Sequence, residues 1–193
     1  MSRSYRTQKE GVIAKRRVPQ TAGVRVIERE PAPGDIHPLP KRTIRGWLQQ
    51  IPLEYVYGLS RVELRPRRTK DVGKPFGCYW PDEKAIILYS VPPLVWHFPS
   101  IRADFRRSLL ACHVTITQEA DGVQVVWPDS ILISLWYYAH VFTHELGHHY
   151  VEQYRTKNGR VGGRVFAEFV AEMHARRFTA DFFKRRRAAT RKA

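Results

Sequence analysis

The sequence predicts an α+β fold, with a small twisted antiparallel or mixed sheet followed by two helices. Three observations point to it. Short β-rich runs bounded by turn residues lie before Pro128, no proline occurs after it, and the later apolar residues recur at helical spacing. Of the 193 residues, 43% are hydrophobic and 12% aromatic, enough for one core with tails.

The elements follow in order. Residues 1–41 read as an extended arm, because basic residues dominate and Pro31, Pro33, Pro38 and Pro40 crowd its end. The folded domain then covers 42–182, and 183–193 is a basic tail. Ile44, Trp47, Leu48 and Ile51 give helical spacing within 42–59, with Pro52 a kink or break. Residues 61–65 read as a short strand with Val62 and Leu64 inward. Residues 85–91 are a clear strand, closed by Pro92-Pro93. The runs 113–118 and 123–127 flank Asp121-Gly122, a hairpin signal. Pro128-Asp129-Ser130 opens a helix, with Asp129 or Ser130 as its N-cap. Asn158-Gly159 and Gly162-Gly163 form a turn, and a last helix starts near Arg164. Its stripe of Phe166, Phe169, Val170, Met173 and Phe178 is expected to pack into the core.

The long helix carries His144-Glu145-Leu146-Gly147-His148. Two histidines four apart project from one helix face, the spacing of two corners of a zinc tetrahedron. Glu145 beside them is placed to take a proton from an activated water. A catalytic zinc needs a third protein ligand. Glu168 and Glu172, four apart on one face of the last helix, are the candidates. His174 lies off that face. His149 points about 100° away from His148 and is read as a non-ligand. His140, one turn before His144, is read as a core histidine rather than a group behind the ligands. Tyr150 and Tyr154 are read as packing residues, and Gly147 as leaving space near the site, with close helix packing the alternative.

The His-Glu-x-x-His motif with Glu168 twenty positions after His148 resembles the gluzincin metallopeptidases, of which thermolysin is one. Residues 166–175 (FAEFVAEMHA) are similar to the third-ligand helix of small intracellular gluzincins of the ImmA/IrrE type. The likeness covers roughly 45–182 and is specific over the two helices. It implies a zincin-like fold and a zinc metallopeptidase. His144, His148 and Glu168 would hold Zn²⁺, Glu145 would act as base, and Glu172 would orient a ligand histidine. It also implies a protein or peptide substrate bound along an edge strand, for which 85–91 is the first choice. SprT-type proteases share the motif but use a third histidine. The thermolysin-type histidine that stabilises the transition state has no assignable counterpart.

The net charge is +15, concentrated in the two ends and in clusters at 61–74 and 102–107. Such a balance suits nucleic acid or another polyanion on the basic tails, and equally solvated tails that keep the protein soluble. The competing reading is therefore a basic nucleic-acid- or partner-binding protein with a structural or vestigial metal site. Cys78 and Cys112 make no disulfide framework and are expected as reduced, partly buried thiols. No apolar run follows Met1, and the longest apolar stretch, 131–142, contains His140 and is too short to span a bilayer. A soluble, cytoplasmic protein without a membrane partner is expected.

Overall fold

The computed structural model describes residues 23–67, 76–153, 167–177 and 180. It is α+β, with two sheets and several helices around a shared core. The first sheet contains β1 (Arg25–Glu28), β2 (Arg61–Arg65), β3 (Gly77–Trp80) and β4 (Ala85–Tyr89), in the order β1-β2-β4-β3. β1, β2 and β4 run parallel, and β3 returns antiparallel to β4. The second sheet is antiparallel, in the order β5 (Val95–Phe98), β7 (Gly122–Val126), β6 (Thr115–Glu119).

The helices are α1 (Lys41–Leu48), α2 (Leu53–Val56), α3 (Ala103–Leu110), α4 (Ser130–Tyr137), α5 (Thr143–Gln153) and α6 (167–177). A π-helical turn, Tyr138–Phe142, joins α4 to α5. Asp129 caps α4: its Oδ1 accepts the Leu132 N–H at 2.8 Å. Tyr137 anchors α4 to the first sheet, since its hydroxyl lies 2.5 Å from Phe76 O and 2.6 Å from Tyr89 O. The second sheet is tied on by aromatic packing. Trp96 meets Trp127 at 4.9 Å and Phe76 at 5.2 Å, and Phe76 meets Trp136 at 5.3 Å. At the β6–β7 turn a Cβ on Gly122 would fall 2.3 Å from Phe98 O, so only glycine lets β5 approach there.

The strand at 61–65 and the Asp-Gly hairpin stand as expected. The strand starting at Ala85 ends at Tyr89. Three expectations change. Within the stretch read as an arm, Arg25–Glu28 pairs in parallel with β2, and Val26 and Leu39 are buried. The prolines there shape a connection over the core rather than a free segment. The expected break at Pro52 stands: it cannot continue the first helix and opens a second, so 42–59 holds two short helices. The segment 85–91 is not an edge: β4 lies between β2 and β3, so its ladder groups are used on both sides. Finally, Phe169 and Met173 are 62% and 51% exposed, whereas Ala171 and Ala175 are buried. Small side chains occupy the contact face of α6 because α5 comes too close for aromatic ones. Phe166, Phe178, Tyr154, the turn at 158–163, residues 1–22 and the tail at 183–193 lie outside the described residues.

Glu63 stands on the face of β2 opposite Val62 and Leu64 and is only 1% exposed. Arg29 Nε reaches it at 2.6 Å, Arg65 at 2.8 Å and Arg61 at 3.4 Å. The Arg65 hydrogen bond, then that of Arg29, outweigh the burial cost and hold its carboxyl at about 2, from 4.5. A depressed carboxylate stabilises the fold above its unfolded value and loses that contribution as pH falls from 4.5 towards 2. Arg29 is largely exposed, which screens its share. We expect urea unfolding to show about 2 kcal/mol less stability at the acid end of that window. Glu63→Gln should flatten the acid limb.

Cys78 and Cys112 are free and half-buried, with burial raising both thiols. Among the described residues no helix is long and apolar enough to cross a membrane.

Candidate metal centre

α5 and α6 build the site, with β3 along its rim. His144 and His148 stand one turn apart on α5, with their Nε2 atoms 3.0 Å apart. Glu168 Oε2 on α6 lies 3.3 Å from His144 Nε2 and 3.6 Å from His148 Nε2. Donors 2.0–2.1 Å from a tetrahedral zinc must lie about 3.3 Å from one another. The three observed separations bracket that edge length, so the donor set fits the ion in chemistry and in spacing. Among the described residues this is the only group of three His, Cys, Asp or Glu side chains so placed. The same donors also suit other divalent metals, Fe²⁺ among them.

The close approach of the two helices makes this possible. A Cβ on Gly147 would lie 2.7 Å from both Ala171 Cα and Ala171 O, and 3.1 Å from Ala171 C. Glycine on α5 facing alanine on α6 lets the backbones meet, and Glu168, one turn before Ala171, then reaches both histidines. Of the two readings of Gly147, close helix packing is the one the geometry shows.

Glu172, one turn after Glu168, sits 3.7 Å from His144 Nδ1, the ring nitrogen away from Glu168. That is an ion-pair separation, longer than a hydrogen bond. Its other oxygen accepts from Arg176 Nε at 3.0 Å. His144, then Arg176, hold the Glu172 carboxyl at about 2. Burial lowers the His144 pKa, but Glu172, Glu145 and Glu168 together outweigh it and the net shift is upward. Burial, and then the charge of His144, lower that of His148.

Glu145 is 8% exposed. Burial lifts its carboxyl to about 7, against the opposing pull of His144 and of the Tyr79 backbone N–H that it accepts. A carboxyl poised near neutrality is what a general base requires. It lines an open cleft of about 530 Å³. Gly77, Cys78 and Tyr79 form one wall of that cleft, and Val151, Glu152 and Ala167 the other.

The other candidates fall outside the ligand set. His149 is buried and faces away from it, as expected of a non-ligand. His174 packs against Tyr150 at 4.5 Å and Tyr55 at 5.4 Å, so Tyr150 is a packing residue and His174 is no ligand. His140 departs from expectation. It is exposed rather than core and packs on Trp136 at 5.7 Å, close enough to the ligand helix for the charges of Glu172 and His144 to act on it. The β3 strand was not singled out in the sequence. Its signal is faint: Cys78, Tyr79 and Trp80 form a short β-prone run closed by Pro81-Asp82.

Compared with protein-family models, curated proteins and solved structures, the chain matches none of them.

Proposed function

We propose that this chain is a zinc-dependent metallopeptidase of gluzincin type, hydrolysing peptide bonds of an intracellular protein substrate. One observation carries the reading: His144, His148 and Glu168 converge at tetrahedral spacing with a buried, near-neutral Glu145 in the same cleft. A purely structural site needs no base beside it.

His144, His148 and Glu168 would hold Zn²⁺, which when bound would supply Lewis-acid chemistry towards water and a carbonyl. Glu145 takes the proton of the attacking water and delivers it to the leaving amine. Glu172 faces His144 Nδ1 and fixes the ring orientation, leaving Nε2 to bind metal. β3 takes the place of 85–91 as the strand for substrate backbone, because it is an edge and forms a wall of the cleft.

The ligand assignment is tested by metal analysis after dialysis. Glu168→Ala should weaken zinc affinity at least about 100-fold, and Glu172→Ala about tenfold, the scale of losing a group behind a ligand. The opposite ranking would exchange the two roles. The activity is tested on an unfolded polypeptide such as casein. Cleavage should stop with a chelator and return with zinc.

A further inference from the structure

His149 follows the second ligand directly, is 1% exposed and has both ring nitrogens engaged. Nε2 lies 3.0 Å from Tyr57 O and Nδ1 lies 3.1 Å from the Tyr79 hydroxyl. A carbonyl oxygen only accepts, so Nε2 carries the proton. Nδ1 then accepts from the Tyr79 hydroxyl, and the tautomer is fixed. The two rings also meet edge to face at 5.3 Å.

Tyr79 is the residue whose backbone N–H holds Glu145. Its position in the strand explains why. Tyr89 N–H donates to Phe76 O at 2.9 Å, which fixes the alternation of the β3–β4 ladder. With Gly77 opposite Leu88 and Tyr79 opposite Ile86, these two residues fall at the non-bonded pairs. Their N–H and C=O groups therefore face the free edge of β3, on the cleft side. The height of Tyr79 relative to α5 decides whether its N–H meets the Glu145 carboxylate. Besides its N–H contact with Glu145, Tyr79 is bonded to α5 through its hydroxyl and His149 Nδ1.

We infer that His149 is a positioning residue: its bond to the Tyr79 hydroxyl sets the edge strand so that the Tyr79 N–H orients Glu145 towards the metal. The inference rests on the peptidase reading for its purpose, but the linkage itself exists with or without metal. Tyr79→Phe removes the hydroxyl and leaves the backbone N–H in place. His149→Gln keeps a donor at the Nε2 position for Tyr57 O but places no acceptor where Nδ1 meets the Tyr79 hydroxyl.

Two readouts test it. The first is amide exchange of the metal-free protein. In both variants the Tyr79 amide should exchange about tenfold faster while amides bonded between β3 and β4 keep their rates, the size of effect one hydrogen bond gives. The second uses Co²⁺-loaded protein titrated with acetohydroxamate, a metal chelator whose N–H and O–H groups can donate to a carboxylate beside the metal. Co²⁺ affinity should stay within about twofold of the parent, while hydroxamate affinity falls about five- to tenfold in either variant and no further in the double variant. Unchanged Tyr79 exchange would overturn the inference, as would hydroxamate affinity falling only in step with Co²⁺ affinity. Failure of the parent chain to bind Co²⁺ would instead sink the metallopeptidase reading, and the exchange result would still decide the linkage.

Discussion

Glu145→Gln is expected to keep one zinc per chain and to lose hydrolysis by about 10²–10⁴-fold, the usual worth of a positioned general base. The substitution is nearly isosteric. The glutamine carbonyl can still accept the Tyr79 N–H that bonds Glu145 now. It cannot take a proton from water. Because burial already brings the Glu145 carboxyl to about 7, a neutral amide there costs the fold little. Thermal unfolding and zinc content should therefore match the parent while peptide cleavage disappears. Persisting cleavage by the zinc-loaded variant would remove Glu145 from the base role. Loss of zinc would show that the carboxylate binds metal.

Gly147→Ala should be severely damaging to the metal site. The atoms its Cβ meets are the backbone of Ala171, at 2.7 Å from Cα and from O, and neither can swing aside. α6 must shift, and it carries both Glu168 and Glu172. The overpacking costs about 1–3 kcal/mol, but the larger consequence is at the site, where a shift of about 1 Å pulls Glu168 out of reach of one histidine. Zinc affinity is expected to fall at least about 100-fold, with the far-ultraviolet spectrum barely changed. Gly46→Ala on α1 is the control. Nothing lies within 4 Å of a Cβ there, so the same substitution should leave zinc alone and add about 0.5–1 kcal/mol of helix stability. Equal zinc affinity in the two variants would show that α6 is not held by the Gly147 contact.

The site was more legible than the fold around it. His144, Glu145 and His148 are read from one helix turn, and local geometry decides them. Glu168 and Glu172 are read from a second helix whose facing is set by spacing. What spacing could not show is why that face turns inward. Phe169 and Met173 looked like the core stripe, and the small residues Gly147 and Ala171 overruled them by letting two backbones touch.

The fold class was legible because β-rich runs and helical runs separate along the chain. Strand order was not, because it depends on pairing between distant segments. β4 looked like a lone apolar strand fit to be an edge. Its neighbours are β2, twenty-four positions back by register, and a faint β3 that no pattern marks strongly. β1 hid among prolines and arginines, where composition argues for an arm. Its parallel pairing with β2 supplies what composition could not. Tyr79 was unreadable for the same reason: its importance comes from lying at that edge beside His149 and Glu145.

The central claim is that His144, His148 and Glu168 together hold one zinc. X-ray absorption at the zinc edge of the loaded full chain tests it most directly. The expected spectrum shows two imidazoles and oxygen donors at about 2.0–2.1 Å with no sulfur, and one oxygen donor fewer in Glu168→Ala. Sulfur at about 2.3 Å, which would bring in Cys78, or less than one zinc per chain at saturation, would contradict it.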